Sequence, residues 1–174
     1  MQRGFMARTT RHVVVAVRGL LSSWRELGHP WVLTRYHNEP GSQFERLLHW
    51  YKLRDYPDTE IVSELDEFVP GAAAIVDKAG YTAMTTKVRA LIADLGVTDV
   101  LVAGLDTDTC VLKTVVDVFE AGLRPWLASD CCASNGGVRE HRAGLRLAGR
   151  FIGAQQVQPA AGILAALGGS SDAP

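Results

Sequence analysis

The chain has 174 residues, of which 47% are hydrophobic, and its formal net charge at pH 7 is −1. This length suits one domain with a substantial core, which we expect over residues 1–167, followed by a flexible tail at residues 168–174. The balanced charge excludes nucleic acid and anionic membrane surfaces as predicted partners, and no apolar run is long enough to span a bilayer.

Three cysteines bear on the compartment in which the protein works: Cys110, Cys131 and Cys132. Their number is odd, their spacing is not that of a metal site, and adjacent cysteines rarely form a disulfide with each other. These features predict a cytoplasmic protein with reduced thiols.

The first part of the chain predicts one helix, one strand and a long irregular segment. Apolar residues at helical spacing predict a helix over residues 10–27 with Thr10 as its N-cap. The apolar run at residues 30–36 predicts a short strand. Residues 37–71 are broken by prolines and glycines and carry an aromatic, basic patch at residues 49–54. Such a loop either lines a functional site or packs on a neighbouring subunit.

The rest of the chain alternates strands with helices. The predicted strands cover residues 72–77, 100–103, 125–128 and 151–157, and the predicted helices cover residues 88–95, 112–119 and 138–149. This alternation predicts an α/β fold with three layers (α/β/α) and a mainly parallel, Rossmann-like sheet. In such sheets the site lies beyond the carboxyl ends of the strands, where both Lys78 and Cys110 fall.

Cys110 is the most informative single residue. The apolar run at residues 100–103 ends at Gly104, a polar turn follows, and Cys110 then lies on the first turn of the next helix. At that position the helix dipole and the unpaired N–H groups favour a thiolate and can bind a developing oxyanion. An inert core thiol remains the alternative, because free cysteines are commonly buried and the carboxylates of Asp106 and Asp108 disfavour a thiolate.

Four segments of the sequence together resemble the isochorismatase-like cysteine hydrolases. Residues 104–111, with Thr114 after them, are similar to the nucleophile motif of that family, and residues 78–84 are similar to its lysine motif. Residues 128–134 resemble its Asp-Ala-Cys-Ala segment, and residues 1–5 resemble the end of its Asp-Met-Gln-x-x-Phe motif. The order and spacing of these segments agree over nearly the whole chain.

The resemblance implies a triad of aspartate, lysine and cysteine. Cys110 would attack a carbonyl carbon and form a thioester, which water would then hydrolyse. Lys78 would offset the neighbouring carboxylates and stabilise the thiolate, whereas its position alone would suggest a solvated lysine at a strand end. The family also places a non-proline cis peptide bond in this turn, here Leu105–Asp106. The backbone N–H groups of Asp106 and Cys110 would then point at the oxyanion.

The family has branches with and without a metal ion. Nicotinamidase-like members bind a divalent metal through an Asp-x-His pair and a further histidine. The matching positions here are Arg35-Tyr36-His37, with His49 as a further histidine. Because Arg35 stands where a carboxylate is needed, we expect no metal and no other cofactor. A metal-dependent, nicotinamidase-like amidase is the alternative.

The expected partners are a small-molecule substrate and further copies of the chain. The substrate would be a small amide, a carbamoyl compound, an imide or isochorismate. Arg35 and Arg54 are candidates to bind a substrate carboxylate, and His37 and Tyr81 are further candidate substrate contacts. The apolar character of residues 49–51 and 160–167, together with the family resemblance, predicts a dimer or a tetramer.

The family's aspartate directly precedes the Met-Gln pair that corresponds to Met1-Gln2. We therefore expect these 174 residues alone to lack the aspartate and its strand, and to be poorly stable and nearly inactive. Restoring roughly ten upstream residues ending in aspartate should recover both properties. Two other interpretations stay open: a catalytically impaired binding or scaffold subunit, and a redox-active protein that pairs Cys110 with Cys131 or Cys132.

Overall fold

Helices and short strands alternate along the chain in the computed structural model, which describes residues 1–168. The helices are α1 (Val13–Glu26), α2 (Gln43–Leu48), α3 (Thr86–Asp94), α4 (Leu112–Glu120), α5 (Val138–Ile152) and α6 (Ala160–Gly168). The strands are β1 (Val32–Tyr36), β2 (Ala74–Lys78), β3 (Asp99–Leu105), β4 (Arg124–Ala133) and β5 (Val157–Gln158). This alternation confirms the predicted α/β class.

The named strands pair in parallel, as the helical connections between them require. β1 pairs with β2, and in a second sheet β4 lies between β3 and β5. The first pairing places Tyr36 opposite Lys78, at the carboxyl ends of β1 and β2. The second places Gly104 opposite Cys132, after a register shift in β3.

The sheet is divided into two parts, whereas the sequence predicts one mainly parallel sheet. A side chain, rather than a strand, occupies the free edge of β1 at Tyr36. The Gln2 amide donates from Nε2 to the Tyr36 carbonyl oxygen (2.8 Å) and accepts at Oε1 from the Tyr36 N–H (2.7 Å). Met1 and Gln2 line a cavity together with residues of β1 and β3, so they lie between the two sheets.

Helices cover both faces of the strands, which gives the predicted three layers. Successive side chains of β4 alternate between the faces. Trp126 and Ala128 pack with α1 and α6, whereas Leu127 packs with α4 and α5. A further cluster joins Val76 of β2 to α3 and α4. The apolar clusters on the two faces hold the strand ends, and the residues that follow them, in place.

The predicted strand at residues 151–157 is wrong. Phe151 and Ile152 complete α5, and only Val157 and Gln158 pair with β4. The buried face of α5 continues through Ala148 to Ile152, which is 5% exposed. Packing of this face therefore extends the helix beyond residue 149, where the sequence predicts its end.

Two further predictions concern the ends of the chain. Thr10 is not the N-cap of α1: His12 has that position, and the buried Thr10 hydroxyl accepts from the N–H of Ala7 instead. The predicted tail at residues 168–174 lies outside the described residues except for Gly168, which ends α6. A single domain over residues 1–167 stays a prediction.

Within the described part of the chain, every helix is too short or too polar to cross a membrane.

Candidate active site

Cys110 lies in a tight turn between β3 and α4. The Leu105–Asp106 peptide bond at the end of β3 is cis. A single π-helical turn (Thr107–Val111) follows and leads directly into α4 at Leu112. The half-buried Cys110 is thus presented at the start of a helical segment that follows a parallel strand.

Lys78 ends β2 and reaches the sulfur of Cys110. Its Nζ atom lies 3.7 Å from Cys110 Sγ and donates to the carbonyl oxygens of Gly80 (2.7 Å) and Tyr81 (2.8 Å). Its three N–H donors are therefore directed at two carbonyl groups and one sulfur atom. Desolvation lowers the pKa of Lys78, and the neighbouring Cys110 opposes this shift. A desolvated lysine of this kind gives up its proton more readily than a solvated one.

Thr114 joins the loop after Lys78 (residues 79–85) to the turn that carries Cys110 (residues 105–111), here called the nucleophile turn. Its hydroxyl donates to the Cys110 carbonyl oxygen (2.7 Å) and accepts from the Ala83 N–H (3.0 Å). The side chain is buried, with 5% exposure, so water does not compete with these bonds. Two motifs that are far apart in the sequence are thereby fixed against each other.

A small cavity of about 70 Å³ exposes Cys110 and Lys78. It lies between Thr34 and Tyr36 of β1 on one side and Ala103 of β3 on the other. Among the described residues that line this cavity, none carries a carboxylate. A larger cavity, of about 320 Å³, lies where β3 and β4 begin and contacts neither Cys110 nor Lys78. Of these two cavities, the smaller one is therefore the candidate active site.

Aromatic rings form a wall beside the lysine. The Tyr36 ring packs on Phe44 and Trp50, with centroids 5.1 and 5.7 Å away, and Phe44 also packs on Tyr81 at 4.9 Å. Lys78 Nζ lies 5.6 Å from the centroid of the Tyr36 ring, within the range of a cation–π contact. Burial raises the pKa of Tyr36 to about 12, so its hydroxyl is neutral near pH 7. Trp50 thus brings the predicted aromatic patch to the site.

Sequence reasoning missed Asn38, which organises the loop that carries these rings. Its amide donates to the Trp50 carbonyl oxygen (3.0 Å) and accepts from the hydroxyls of Ser42 (2.7 Å) and Tyr36 (3.3 Å). The residue is 3% exposed. Its position just after a predicted strand, where asparagine commonly forms turns, was the one available signal.

Arg35 and Arg54, the predicted ligands of a substrate carboxylate, instead bind carboxylates of the protein. Arg35 forms two hydrogen bonds with Asp77 on the adjacent strand (2.7 and 3.0 Å), and Arg54 pairs with the buried Glu45. Tyr36 lines the cavity, so the alternation of side chains along β1 turns Arg35 away from it. The structure does not bring either arginine to the nucleophile.

His37 and Tyr81 lie next to Lys78 in different ways. The His37 N–H donates to the Lys78 carbonyl oxygen (2.9 Å), and His37 Nε2 lies 3.3 Å from Asp77 Oδ1. Tyr81 accepts a hydrogen bond from the lysine at its carbonyl oxygen. The residue is 39% exposed, and its ring packs on Phe44. Neither side chain lines the cavity, and the His37 ring lies beside the same Asp77 that binds Arg35. Contact of either residue with a substrate stays a prediction.

The residues at the position of the family's metal site do not fit a divalent cation. The guanidinium of Arg35 is bound to Asp77, the carboxylate nearest to His37, and so places a positive charge there. Within residues 1–168 no group of three or more histidines, cysteines and carboxylates could hold a metal ion. A stable protein site for such a metal needs about three or more protein ligands.

Cys131 and Cys132 are buried core residues on opposite faces of β4. All three cysteines of the chain are free thiols. Burial raises the pKa of both Cys131 and Cys132 to about 12, so these two are protonated at neutral pH. This contrasts with the half-buried Cys110, which has an ammonium group beside it.

Comparison with known proteins finds relatives among the hydrolases that the sequence motifs resemble. The curated nicotinamidase 3 of Arabidopsis thaliana is 27% identical over 115 residues, which are 63% of this chain and 58% of that protein. The chain thus matches less than two thirds of the length of this relative.

Solved structures with similar folds include two hydrolytic enzymes. An isochorismatase-like hydrolase from Alkaliphilus metalliredigens has a TM-score of 0.82 at 15% identity, with 96% of this chain and 94% of that chain covered. N-carbamoylsarcosine amidase from Thermoplasma acidophilum has a TM-score of 0.73 at 20% identity, with 89% and 86% covered. At these identities the agreement shows a shared fold. The family model of the Isochorismatase domain matches residues 1–156, most of the chain, and the protein therefore belongs to the isochorismatase family.

Proposed function

We propose that this protein is a hydrolase of a small amide, carbamoyl or isochorismate-like substrate, with Cys110 as its nucleophile. The observation that carries the proposal is the 3.7 Å contact between Lys78 Nζ and Cys110 Sγ, on the wall of a cavity. A positive charge beside a sulfur atom favours the thiolate, which is the reactive form. The family membership supports the same class of chemistry. The free thiols are consistent with a cytoplasmic protein.

For an amide substrate, the reaction would proceed in two steps through a thioester. The Cys110 thiolate attacks the carbonyl carbon, forming an S–C bond and a tetrahedral oxyanion. The C–N bond then breaks, and the leaving nitrogen takes a proton from the Lys78 ammonium. Water attacks the thioester and gives its proton to the Lys78 amine, and the C–S bond breaks to restore the thiolate. The net products are a carboxylic acid and ammonia or an amine.

The oxyanion would be bound by the backbone N–H groups of Asp106 and Cys110. The turn itself is closed by the N–H groups of Thr109 and Val111, which donate to the Asp106 carbonyl oxygen at 3.2 and 3.0 Å. Those two donors are used within the turn, and the family resemblance implies that the Asp106 and Cys110 N–H groups bind the oxyanion. Backbone donors fixed in this way stabilise charge that develops only in the transition state.

The walls of the cavity favour a small, flat substrate. The cavity of about 70 Å³ is small beside the second cavity of about 320 Å³. Tyr36, which packs on Phe44 and Trp50, gives the cavity an aromatic wall, and such a wall suits a planar amide or a ring. The names of similar proteins, a nicotinamidase and an N-carbamoylsarcosine amidase, point to substrates of this kind.

A substrate panel tests the proposal. Nicotinamide, N-carbamoylsarcosine, a short aliphatic amide and isochorismate would each be incubated with the wild type, and ammonia release or isochorismate loss measured. For any compound that the wild type turns over, we expect a loss of about 10³-fold or more in Cys110→Ala. The Cys131→Ala variant, whose thiol is buried away from the cavity, should keep its activity and serves as the matched control.

Two outcomes would contradict the proposal. Turnover that survives in Cys110→Ala would show that another group performs the chemistry. Equal losses of turnover in Cys110→Ala and Cys131→Ala would show that the loss does not depend on a nucleophile at residue 110.

A further inference from the structure

The nucleophile turn is held from outside by α5. On this helix, His141 Nδ1 lies 2.8 Å from the hydroxyl oxygen of Thr107. Thr107 is 0% exposed, so its hydroxyl depends on an internal partner. Desolvation, the largest cause, lowers the pKa of His141. This favours a neutral imidazole whose Nδ1 can accept the hydroxyl hydrogen.

Gly144, on the same face of α5 as His141, brings the helix backbone against the turn. A Cβ atom at this position would lie 2.8 Å from the Asp108 N and Cα atoms and 2.9 Å from the Thr107 carbonyl carbon. All three of these neighbouring atoms in the turn are main-chain atoms. The helix therefore packs directly on the backbone of the turn, with no side chain between them.

The loop before α5 holds the preceding residue of the turn. The Asn135 N–H and its side-chain Nδ2 both donate to Asp106 Oδ1, each at 2.9 Å. Desolvation raises the pKa of Asp106, and these two bonds oppose that shift. Asp106 and Thr107 are thus each bound by a residue from the segment that contains Asn135 and His141.

We propose that His141 is a positioning residue for the oxyanion-binding turn, acting through the Thr107 hydroxyl. The inference rests on the proposed function, in which the Asp106 and Cys110 N–H groups bind the oxyanion. Thr107 directly follows Asp106, so its side-chain bond helps to fix the backbone on the carboxyl side of Asp106, whose N–H is the first of these donors. Neither His141 nor Thr107 lines the cavity, so both act through the backbone of the turn.

Loss of the hydrogen bond between His141 and Thr107 should slow only some of the reactions of Cys110. Oxyanion binding is sensitive to shifts of well below 1 Å in the donors. The contact between Lys78 and the sulfur is made by a different strand and loop, and it should survive the loss of the His141 bond. Removing this bond should therefore slow reactions of Cys110 that pass through an oxyanion, and leave direct alkylation unchanged.

Two small reagents separate these reactions without requiring the natural substrate. p-Nitrophenyl acetate acetylates the thiolate through a tetrahedral oxyanion: an S–C bond forms, the ester C–O bond breaks and p-nitrophenolate leaves. Iodoacetamide alkylates the same sulfur by direct displacement of iodide, with no oxyanion. Peptide mass spectrometry assigns both products to Cys110, and the measured quantity is the ratio of the two rates.

We expect Thr107→Val and His141→Leu each to lower the acetylation rate about 10- to 100-fold, with alkylation changed less than about twofold. His141→Asn keeps a polar atom near the position of Nδ1 and should restore most of the acetylation rate. The double variant should be no slower than the slower single variant, because both substitutions remove the same bond. His29→Leu, which alters a histidine that packs on Trp24, should leave the ratio unchanged.

The outcomes that overturn the inference differ from those that overturn the proposed function. Acetylation that is unchanged in both single variants, that falls together with alkylation, or that is as slow in His141→Asn as in His141→Leu would refute the positioning role alone. A wild-type Cys110 that is alkylated but never acetylated would refute the nucleophile assignment and the positioning role with it.

Discussion

Lys78 links the charge of the site to the stability of the fold. Its pKa is lowered below the ordinary value of 10.5, with desolvation as the largest cause. Between the folded-state pKa and 10.5 the unfolded chain binds more protons at this residue than the folded chain does. The free energy of unfolding should therefore rise with pH in this window, and the contribution is complete above 10.5.

This pH dependence can be measured in a Cys110→Ala background, where the thiol no longer titrates. Urea unfolding of the variants with Lys78 and with Lys78→Met would be compared at about pH 7 and about pH 10. We expect the protein with Lys78 to gain stability relative to Lys78→Met as the pH rises. Parallel pH curves for the two proteins would contradict a lysine that is desolvated by folding.

The pairing of Arg35 with Asp77 predicts that activity needs no divalent metal. These two residues neutralise each other at the position where a metal ligand set would require uncompensated carboxylates. Dialysis against a chelator should leave the hydrolysis rate of any turned-over panel compound unchanged. A loss of rate that zinc, manganese or iron restores would show that the metal-dependent alternative is correct.

At the residue scale, the sequence predicts that Cys110 and Lys78 lie beyond the carboxyl ends of strands, because each follows a strand that the apolar pattern identifies. The partners of the charged loop residues could not be predicted. Arg35 meets Asp77 through the register of β1 on β2, and a sequence pattern does not give that register. A free arginine and a paired one have the same sequence signature.

At the scale of elements, two glycines of α5 make a matched pair. A Cβ atom at Gly144 would lie 2.8 Å from the backbone of the nucleophile turn, whereas one at Gly149 would lie 3.6 Å from Ala154 Cα, an ordinary contact. We expect Gly144→Ala to destabilise the protein by about 1–3 kcal/mol through overpacking. Gly149→Ala should be neutral or stabilising by up to about 1 kcal/mol, because alanine favours a helix.

Urea unfolding of the two alanine variants and the wild type checks this prediction. Because both substitutions add the same methyl group to the same helix, the difference between them isolates the contact with the turn. Equal stabilities of the two variants would contradict the close packing of α5 on the nucleophile turn.

The sequence predicted the elements on either side of the nucleophile well, and the end of α5 poorly. β3 and α4 have compact apolar patterns bounded by Gly104 and Gly122, which are local signals. Phe151 and Ile152 precede a glycine and resemble the start of a strand. Their helical state follows from packing of Ile152 against α4 and β4, which only the tertiary structure provides.

At the scale of the whole molecule, the alternation of strands and helices along the chain predicts the three layers. It does not predict that the strands form two separate sheets. Parallel strands joined by helices leave few arrangements, so the three layers could be predicted. The side chain of Gln2 takes the hydrogen bonds of Tyr36, 34 positions away in the sequence. No local pattern identifies a glutamine that binds a strand edge in this way.

The predicted association rests on the apolar segments at residues 49–51 and 160–167, and it stays a prediction. The segment at residues 160–167 forms part of α6, and its residues Ala160 and Ile163 are buried in the core of the subunit. In the other segment Tyr51 is 55% exposed, and just before that segment Leu47 and Leu48, which the prediction did not include, are 70% and 58% exposed. This apolar group is the part of the prediction that still favours contact between copies.

Light scattering at micromolar concentration tests association. We expect the mass of a dimer or a tetramer, and Leu47→Glu should shift the population toward monomer because a charge would then be buried in the contact. A monomer mass for the wild type would contradict the prediction. Val15→Glu, at an exposed position on α1, provides the matched control.

The activated thiol is tested most directly by competition among the three cysteines of the native protein. With limiting iodoacetamide near neutral pH, peptide mass spectrometry should find Cys110 alkylated well before Cys131 and Cys132, whose burial raises their pKa to about 12. Lys78→Ala should slow labelling of Cys110 about tenfold or more, because it removes the positive charge beside the sulfur. Lys52→Ala, which alters an exposed loop lysine, should not. Equal labelling rates at all three cysteines, or a Cys110 rate unaffected by Lys78→Ala, would contradict an activated nucleophile at this site.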